Sequence, residues 1–567
     1  MKHATLQDVA ASLLRAPPFP GAAVAYPGSI PEIEKAIDPV IEPARIERIF
    51  AAVREARVGG GFWAIPAAPS NARTIVRARS VSEITDIRAG MTDPEQDAIV
   101  WLLPADLAGD PACRALLSQD MVIFGEVDPW SLLDDDVHLF AHGDDEWVAL
   151  ADIAGCRVRI LSDGVYGTQD SIPQERRQRI AKALVDTRYR DPSTGLPVGI
   201  DATIAHLGFW RRIGEGNRDI VAACGIAWWK RREIARFLWS PDRRLRFFSS
   251  ERRAIAHARR QGGAVAVWPS RISPAMVRGA AAAGVPLVRV EDGFVRSVGL
   301  GSDMVPPSSI TVDWRGIHYD PSRASDLETL LAQTQFPLAL LTRAAHLRAA
   351  ILAGGISKYG GSAPHVFPAR EPGRRLVLVP GQVEDDMSVK LGGGGLASNL
   401  ELLRRARALE PDAEIWFRPH PDVDAGHRKG AVPDADALQV ADRIVRGGGM
   451  AALLGLVDAV HVLTSLTGFE ALLRGCDVTC HGMPFYAGWG LTRDLMPLSD
   501  RRGRGLALDE LVAGVLILYP RYLDPVSGLP CEPETLFARM VAGEAGNRLG
   551  WVTRLRQIQG RMMKGRR

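Results

Sequence analysis

From Arg73 onward the chain alternates short runs of valine, isoleucine and leucine with longer mixed stretches: RTIVRAR, DAIVWLLPADL, DMVIFGEV, DDVHLFAH and CRVRILSDG. Apolar runs of this length, separated by helical or loop segments, predict a parallel sheet with crossover helices. The rhythm resumes after Leu245, with strands expected over Ala264–Trp268 and Val285–Val290, a strand hairpin in SSITVDWRGIHYD from Ser308, and then a helix to Leu352. Further strands are expected at Arg375–Pro380, Glu414–Phe417 and Ala459–Leu463. Between the two regions, AWWKRREIARFLW places Trp228, Trp229, Ile234 and Phe237 at helical spacing. It predicts an amphipathic linker helix within residues 213–242 that buries this side against protein in preference to a membrane. Before residue 50 there is little periodicity.

An internal repeat relates the two regions. Arg188–Pro197, RYRDPSTGLP, returns as RYLDPVSGLP at Arg521–Pro530. Upstream, Asp135–Leu139 echoes Asp458–Val462, Ala154–Val158 echoes Arg474–Val478, and AIVWLLPAD from Ala98 matches AEIWFRPHPD from Ala413. The first copy has lost ionisable residues: Leu103–Asp106 stands where the second has Arg418–Pro421, Leu150 aligns with Glu470, and the PFYAGWG loop shrinks to Val165–Gly167. Residues 1–212 therefore read as a degenerate, non-catalytic Rossmann-like half-module, available for packing or partner binding.

Length and charge narrow the classes. At 567 residues the chain exceeds what one core supports. A net charge of only +3 supplies no global field for nucleic acid, so none is expected as a partner. Six cysteines without a CxxC pair suit a reducing compartment and free thiols. Cys476, Cys480 and His481 lie close together, but three ligands without a fourth read better as strand residues than as a zinc site. Neither a signal peptide nor a long apolar span is visible. Residues 536–567 form a basic amphipathic tail in which Trp551, Leu555, Ile558 and Met562 recur at helical spacing among arginines. That pattern suits an interfacial helix on anionic lipid, or a solvated tail.

The candidate chemistry collects at strand ends. The strand ending at Leu463 runs into Thr464-Ser465-Leu466-Thr467-Gly468, where a helix begins that carries Glu470. Ser465, Thr467, Gly468 and the helix start suit a phosphate, and Glu470 could hold ribose hydroxyls, although an ordinary βα turn has the same form. The loop Gly482–Gly490 carries Phe485, Tyr486 and Trp489 and is expected to shape a pocket. Glu291 and Asp292 close the strand Val285–Val290 and are candidates for acid/base work, or simply capping acids. Gln382, Glu384, Asp385 and Asp386 follow the strand Arg375–Pro380; three neighbouring acids repel unless they bind a cation or perform chemistry. Arg418 and His420 follow Glu414–Phe417, and Lys358 in the glycine-rich join Gly354–Gly361 could meet an anion. Ligands of open α/β sheets bind beyond such strand ends, so the clusters argue for a cleft between two Rossmann-like domains.

Read together, VEDGFVRS from Val290, SKY from Ser357, GQVEDD from Gly381, RPHPDV from Arg418 and the stretch Ser465–Thr492 resemble the bacterial capsule polysaccharide β-Kdo transferases of the KpsC (LipA) type. The resemblance covers roughly residues 250 to 535. It implies an α/β, GT-B-like pair of facing Rossmann-type domains, expected over residues 243–365 (acceptor side) and 366–535 (nucleotide-sugar side). It also implies transfer of Kdo from CMP-Kdo, with retention of configuration, onto a lipid-linked glycan at the cytoplasmic side of the inner membrane, where capsule assembly and export proteins could be partners. Retention by two inversions needs a carboxylate nucleophile, which the family pattern places at Asp386. The resemblance then implies Glu291 as acid/base with Asp292 as its understudy. Donor contacts would fall to Gln382, Arg418, His420, Ser465, Thr467, Gly468, Glu470 and Lys358. No cofactor is expected beyond the CMP-Kdo donor, and no metal, since the leaving group bears one phosphate. Family members typically carry two complete modules, whereas this chain keeps one, so a single linkage is expected. A non-catalytic assembly or export factor and a transferase for another CMP-linked ulosonate are the alternatives.

Overall fold

The computed structural model describes residues 13–20, 40–68, 72–96, 98–295, 305–356, 365–426 and 428–544. Lys358 and the basic stretch of the tail lie outside the described residues. The chain forms two compact units, Met1–Arg218 with Trp239–Arg244 and Asp219–Leu238 with Leu245–Arg567.

The first unit is built on a five-stranded sheet of β1 (Thr74–Val76), β2 (Ile99–Leu103), β3 (Met121–Phe124), β4 (His138–Ala141) and β5 (Arg157–Ile160), in the order β3-β2-β1-β4-β5. Every pairing is parallel. Helices cover both faces, so β2 is buried at every position, which is why its sequence is continuously apolar. The repeated RYRDPSTGLP segment forms the antiparallel hairpin β6 (Tyr189–Arg190) and β7 (Pro197–Val198).

The second unit contains two sheets. The first is seven-stranded: β8 (Ile220–Cys224), β9 (Arg246–Phe248), β10 (Ala264–Val267), β11 (Leu287–Asp292), β12 (Ser309–Asp313), β19 (Pro520–Leu523) and β20 (Pro530–Cys531), ordered β20-β19-β12-β11-β10-β8-β9. The second is six-stranded: β13 (Leu376–Pro380), β14 (Glu414–Arg418), β15 (Arg443–Ile444), β16 (Ala459–Val462), β17 (Asp477–Cys480) and β18 (Arg493–Asp494), ordered β15-β14-β13-β16-β17-β18. All its pairings are parallel, and the order is that of a Rossmann sheet with its switch point between β13 and β16. The repeat is thus visible in three dimensions: β1, β2, β4 and β5 occupy the places of β13, β14, β16 and β17.

Three expectations need correction. Residues 213–242 are not one helix. They hold the end of the helix Ile200–Asn217, the buried strand β8, and the short helix Arg231–Phe237. The all-apolar run IVAAC favours a central strand, and Trp228, expected on a buried face, is 65% exposed. SSITVDWRGIHYD contributes the single strand β12, antiparallel to β11 and β19, because its far half turns into a loop at Trp314–Gly316. The boundary at residue 535 also moves, since β19 and β20 return to the first sheet after the second domain is complete.

One apolar core joins the two sheets of this unit, running from Phe294 and Leu331 through Leu376 and Val460 to Leu516 and Tyr522. The loop aromatics Phe485, Tyr486 and Trp489 are buried in it. Phe485 packs on Phe294 at 4.5 Å between ring centroids, a contact that fixes the end of β11 against the second domain.

Candidate active site

At the carboxyl end of β11, Glu291 and Asp292 project into the space beside Lys230, which lies on the turn Trp228–Lys230 after β8. Lys230 Nζ is 2.8 Å from Asp292 Oδ1 and 3.6 Å from the centre of the Trp268 ring, so the ammonium is both ion-paired and held over an aromatic face. Glu291 keeps partial contact with cleft solvent yet is closely surrounded by protein. Burial pushes its pKa up to about 8, repulsion from Asp292 and Asp386 adds to the rise, and Lys230 opposes it. A carboxyl group in this state retains its proton near neutrality and becomes a strong base once ionised.

Asp386 approaches from the other domain. The three acids after β13 part company: Glu384 Oε1 accepts the Asn399 N–H at 2.8 Å, Asp385 pairs with Arg428 at 3.0 Å, and Asp386 caps the helix Met387–Gly392. Asp386 Oδ1 accepts the Ser388 N–H at 3.0 Å and its hydroxyl at 2.8 Å. One carboxylate oxygen is thereby fixed, while Oδ2 accepts no hydrogen bond among the described residues. Separating the acids in this way removes the mutual repulsion that the sequence alone suggested.

Gln382 holds the switch point together. Its Oε1 accepts the N–H groups of Leu463 (3.2 Å) and Thr464 (3.0 Å), and its Nε2 donates to Thr464 Oγ1 at 3.0 Å. Asn399 Oδ1 accepts the Gln382 N–H and Asn399 Nδ2 donates to the Gln382 carbonyl, both at 2.8 Å. The amide thus braces the ends of β13 and β16.

Arg418, paired in register with Pro380, is 9% exposed; Nη2 donates to the Gly448 carbonyl at 2.7 Å, whereas Nη1 is buried without a partner. Among the described residues it has no carboxylate partner, and burial alone lowers its pKa. A buried guanidinium without a counter-ion is costly, and an anionic ligand offsets that cost. His420 Nδ1 accepts the Asp422 N–H at 3.2 Å, capping the turn Pro421–Asp424.

Ser465 caps the helix Leu466–Leu472, its Oγ accepting the Thr467 N–H at 3.2 Å, and Tyr486 donates its hydroxyl proton to the Ser465 carbonyl. Gly468 is required by this contact, since a Cβ there would lie 2.2 Å from the Tyr486 oxygen. Glu470 lies beyond the first turn, 9% exposed, near Tyr486 and Arg474. Thus Glu291, Asp292 and Asp386 meet in one place, Arg418 and Gln382 line the adjoining strand ends, and Ser465, Thr467, Gly468 and Glu470 form the neighbouring helix start. The sequence reading missed Lys230 and Tyr319; the phenol of Tyr319 stands close to both Glu291 and Asp386. A charged residue inside WWK and a tyrosine just after a buried strand were the available signals.

The first unit differs at the equivalent strand ends. Arg77 pairs with Asp145 at 2.6 Å, Arg79 with Asp144 and Arg15 with Glu146, and His142 Nε2 is 3.2 Å from Glu83. Ser80 caps the helix after β1 where Asp386 caps the helix after β13. Asp144, Asp145 and Glu146 at these ends thus each have an arginine partner.

The six cysteines are free and buried, and Cys476 Sγ points at the carbonyls of Leu454 and Val457. Among the described residues no helix is long and apolar enough to cross a membrane.

Two Rossmann-type domains with paired carboxylates between them define a GT-B-like α/β protein. The chain matches the family described as "Capsule polysaccharide biosynthesis protein" over residues 263–365 and 366–522. It is 39% identical to the lipopolysaccharide-processing protein LpsZ of Rhizobium meliloti over 61% of this chain and 79% of that protein. It is also 39% identical to the capsule polysaccharide modification protein LipA of Neisseria meningitidis serogroup A, over 65% of this chain and 52% of LipA. The chain belongs to the KpsC/LipA family of capsule polysaccharide biosynthesis proteins. It spans about half the length of its LipA relatives. A solved structure named Thermosulfurimonas dismutans KpsC, beta Kdo 2,7 transferase, is 33% identical, with a TM-score of 0.47 over 57% of this chain and 99% of that one. Its beta Kdo 2,4 transferase counterpart is 31% identical, with a TM-score of 0.49 over 58% and 99%.

Proposed function

We propose that the chain is a retaining glycosyltransferase that moves Kdo from CMP-Kdo to a lipid-linked glycan during capsular or related surface-polysaccharide assembly at the inner membrane. The observation that carries this reading is the approach of Asp386 to Glu291 across the cleft, one carboxylate oriented by its helix cap and the other kept protonated by burial. Asp386 Oδ2 attacks the anomeric carbon of the donor as the bond to the CMP phosphate oxygen breaks, giving a glycosyl ester and free CMP. CMP leaves as an anion and needs no proton; Arg418 offsets its charge, with His420 and the Ser465–Thr467 turn beside it. Glu291, once ionised, takes the proton of the acceptor hydroxyl as that oxygen displaces Asp386, and the two inversions sum to retention. Asp292, paired with Lys230, supports Glu291. Glu470 is assigned to the ribose and Lys358 to the sugar carboxylate. The single phosphate of the leaving group calls for no bridging metal.

The test is incubation with CMP-Kdo followed by intact-mass measurement. A mass increase of one ulosonate mapped to Asp386 supports the assignment. Turnover with the adduct on another residue, or no turnover with any CMP-ulosonate and lipid glycan, overturns it, and the latter favours a non-catalytic assembly role.

A further inference from the structure

Tyr319 has a buried hydroxyl beside Glu291 that, among the described residues, forms no hydrogen bond of full geometry. Buried polar groups are ordinarily satisfied, so an orphan at a reactive site asks for an explanation. The side chain is firmly mounted. Its ring meets His318 edge-on at 5.2 Å, and His318 in turn packs on Phe294 at 4.8 Å and Phe485 at 5.8 Å. The main chain of Tyr319 also abuts the helix that Asp386 caps: a Cβ added to Gly392 would stand 3.5 Å from the Tyr319 carbonyl oxygen. The neighbours of the phenol are Glu291, at the end of β11, and Asp386, the cap of that helix.

We propose that Tyr319 is a positioning residue for the acid/base carboxylate: its hydroxyl, seated between Glu291 and Asp386, donates a hydrogen bond to Glu291 when that group is ionised and holds it ready to take the acceptor's proton. The inference rests on the transferase reading above. The charged groups around the phenol are Glu291, Asp386, Asp320 and Arg289, and those around Glu291 include Asp292 and Lys230. Burial and the neighbouring carboxylates push the phenol pKa far above its ordinary value, so at working pH it can donate a proton in a hydrogen bond but does not lose it. A donor to the ionised form lowers the pKa of its partner. Tyr319 thus acts in the same direction as Lys230 and against the repulsion from Asp292 and Asp386.

The test uses full-length Tyr319→Phe, which removes one oxygen and leaves the ring mount intact. CMP-Kdo turnover is measured from pH 6 to 10. The rising limb is expected to move up by about one pH unit, with kcat near pH 7.5 falling about tenfold and donor KM unchanged. A limb superimposable on that of the wild type, or a loss confined to KM, overturns the inference. In a Glu291→Gln background, Tyr319→Phe is expected to cause no further fall, and an undiminished tenfold loss there overturns it too. Wild-type protein that turns over no CMP-ulosonate sinks both readings, whereas wild-type turnover with an unmoved limb in the variant sinks this one alone.

Discussion

Lys230 Nζ lies 2.8 Å from Asp292 Oδ1, and the turn that carries it follows β8, a strand inside a segment whose spacing suggested a linker helix. The pair ties the loop after one strand to the end of another and puts a positive charge beside Glu291. Lys230→Met keeps much of the apolar stem over Trp268 but deprives Asp292 of this partner. We expect a loss of about 1–3 kcal/mol in stability and an upward shift of the pH limb for turnover. Urea unfolding and a pH–rate profile check both; an unmoved limb would show that Lys230 does not influence Glu291.

Asp386 has two roles that substitutions can separate. Its Oδ1 caps the helix Met387–Gly392, and an asparagine in its place can still accept the Ser388 N–H. Asp386→Asn should therefore melt close to the wild type while forming no glycosyl adduct and losing sugar transfer. Asp386→Ala should lose the same activity and about 1 kcal/mol of stability besides. Melting curves and intact mass on all three proteins decide it, and residual adduct formation by Asp386→Asn would remove the nucleophile from this position.

Arg418 carries a charge that no carboxylate among the described residues neutralises. Arg418→Met is expected to weaken CMP binding about 10- to 100-fold, as loss of a charge-assisted hydrogen bond predicts, while thermal stability stays level or rises. Calorimetric titration with CMP and a melting curve test this pair of outcomes. Unchanged CMP affinity would mean that the buried cation serves another anion.

How much of this was legible in the residues depends on whether the signal is local. The strands of the parallel sheets were readable because burial on both faces makes runs such as IVWLL and LVLVP continuously apolar. The repeat was readable because both copies keep the RYxDPxxGLP hairpin. Clusters at strand ends were readable for the reason that open α/β sheets bind ligands there. What failed was non-local. IVAAC beside a tryptophan-rich amphipathic stretch looks like part of a helix until β10 and β9 pair with it. Nothing in PFYAGWG shows that Phe485 packs on Phe294, a residue far away in the sequence. The hydrogen bonds of Gln382 to Leu463 and Thr464 come from a distant strand end, which no local pattern announces. The acidic neighbours of Tyr319, Glu291 and Asp386, come from distant points of the chain, and no spacing rule reports those.

Glu291 makes a prediction about stability as well as rate. Its pKa is raised from 4.5 to about 8 in the folded protein, chiefly by burial, so the folded state holds a proton that the unfolded chain releases. Folding therefore takes up a proton between about pH 4.5 and 8, and the contribution of this group to stability falls as pH rises through that window and levels off above it. Glu291→Gln places a neutral group of similar shape there and has no such loss, so the variant should gain stability relative to the wild type on going from pH 5 to pH 9. Urea midpoints of both proteins at pH 5, 7 and 9 give the comparison, with Asp292, Lys230 and Asp386 present in each. A stability difference that stays constant across the three pH values would mean that Glu291 ionises as readily in the folded cleft as in water. Its place as the proton-holding partner of Asp386 would then be lost.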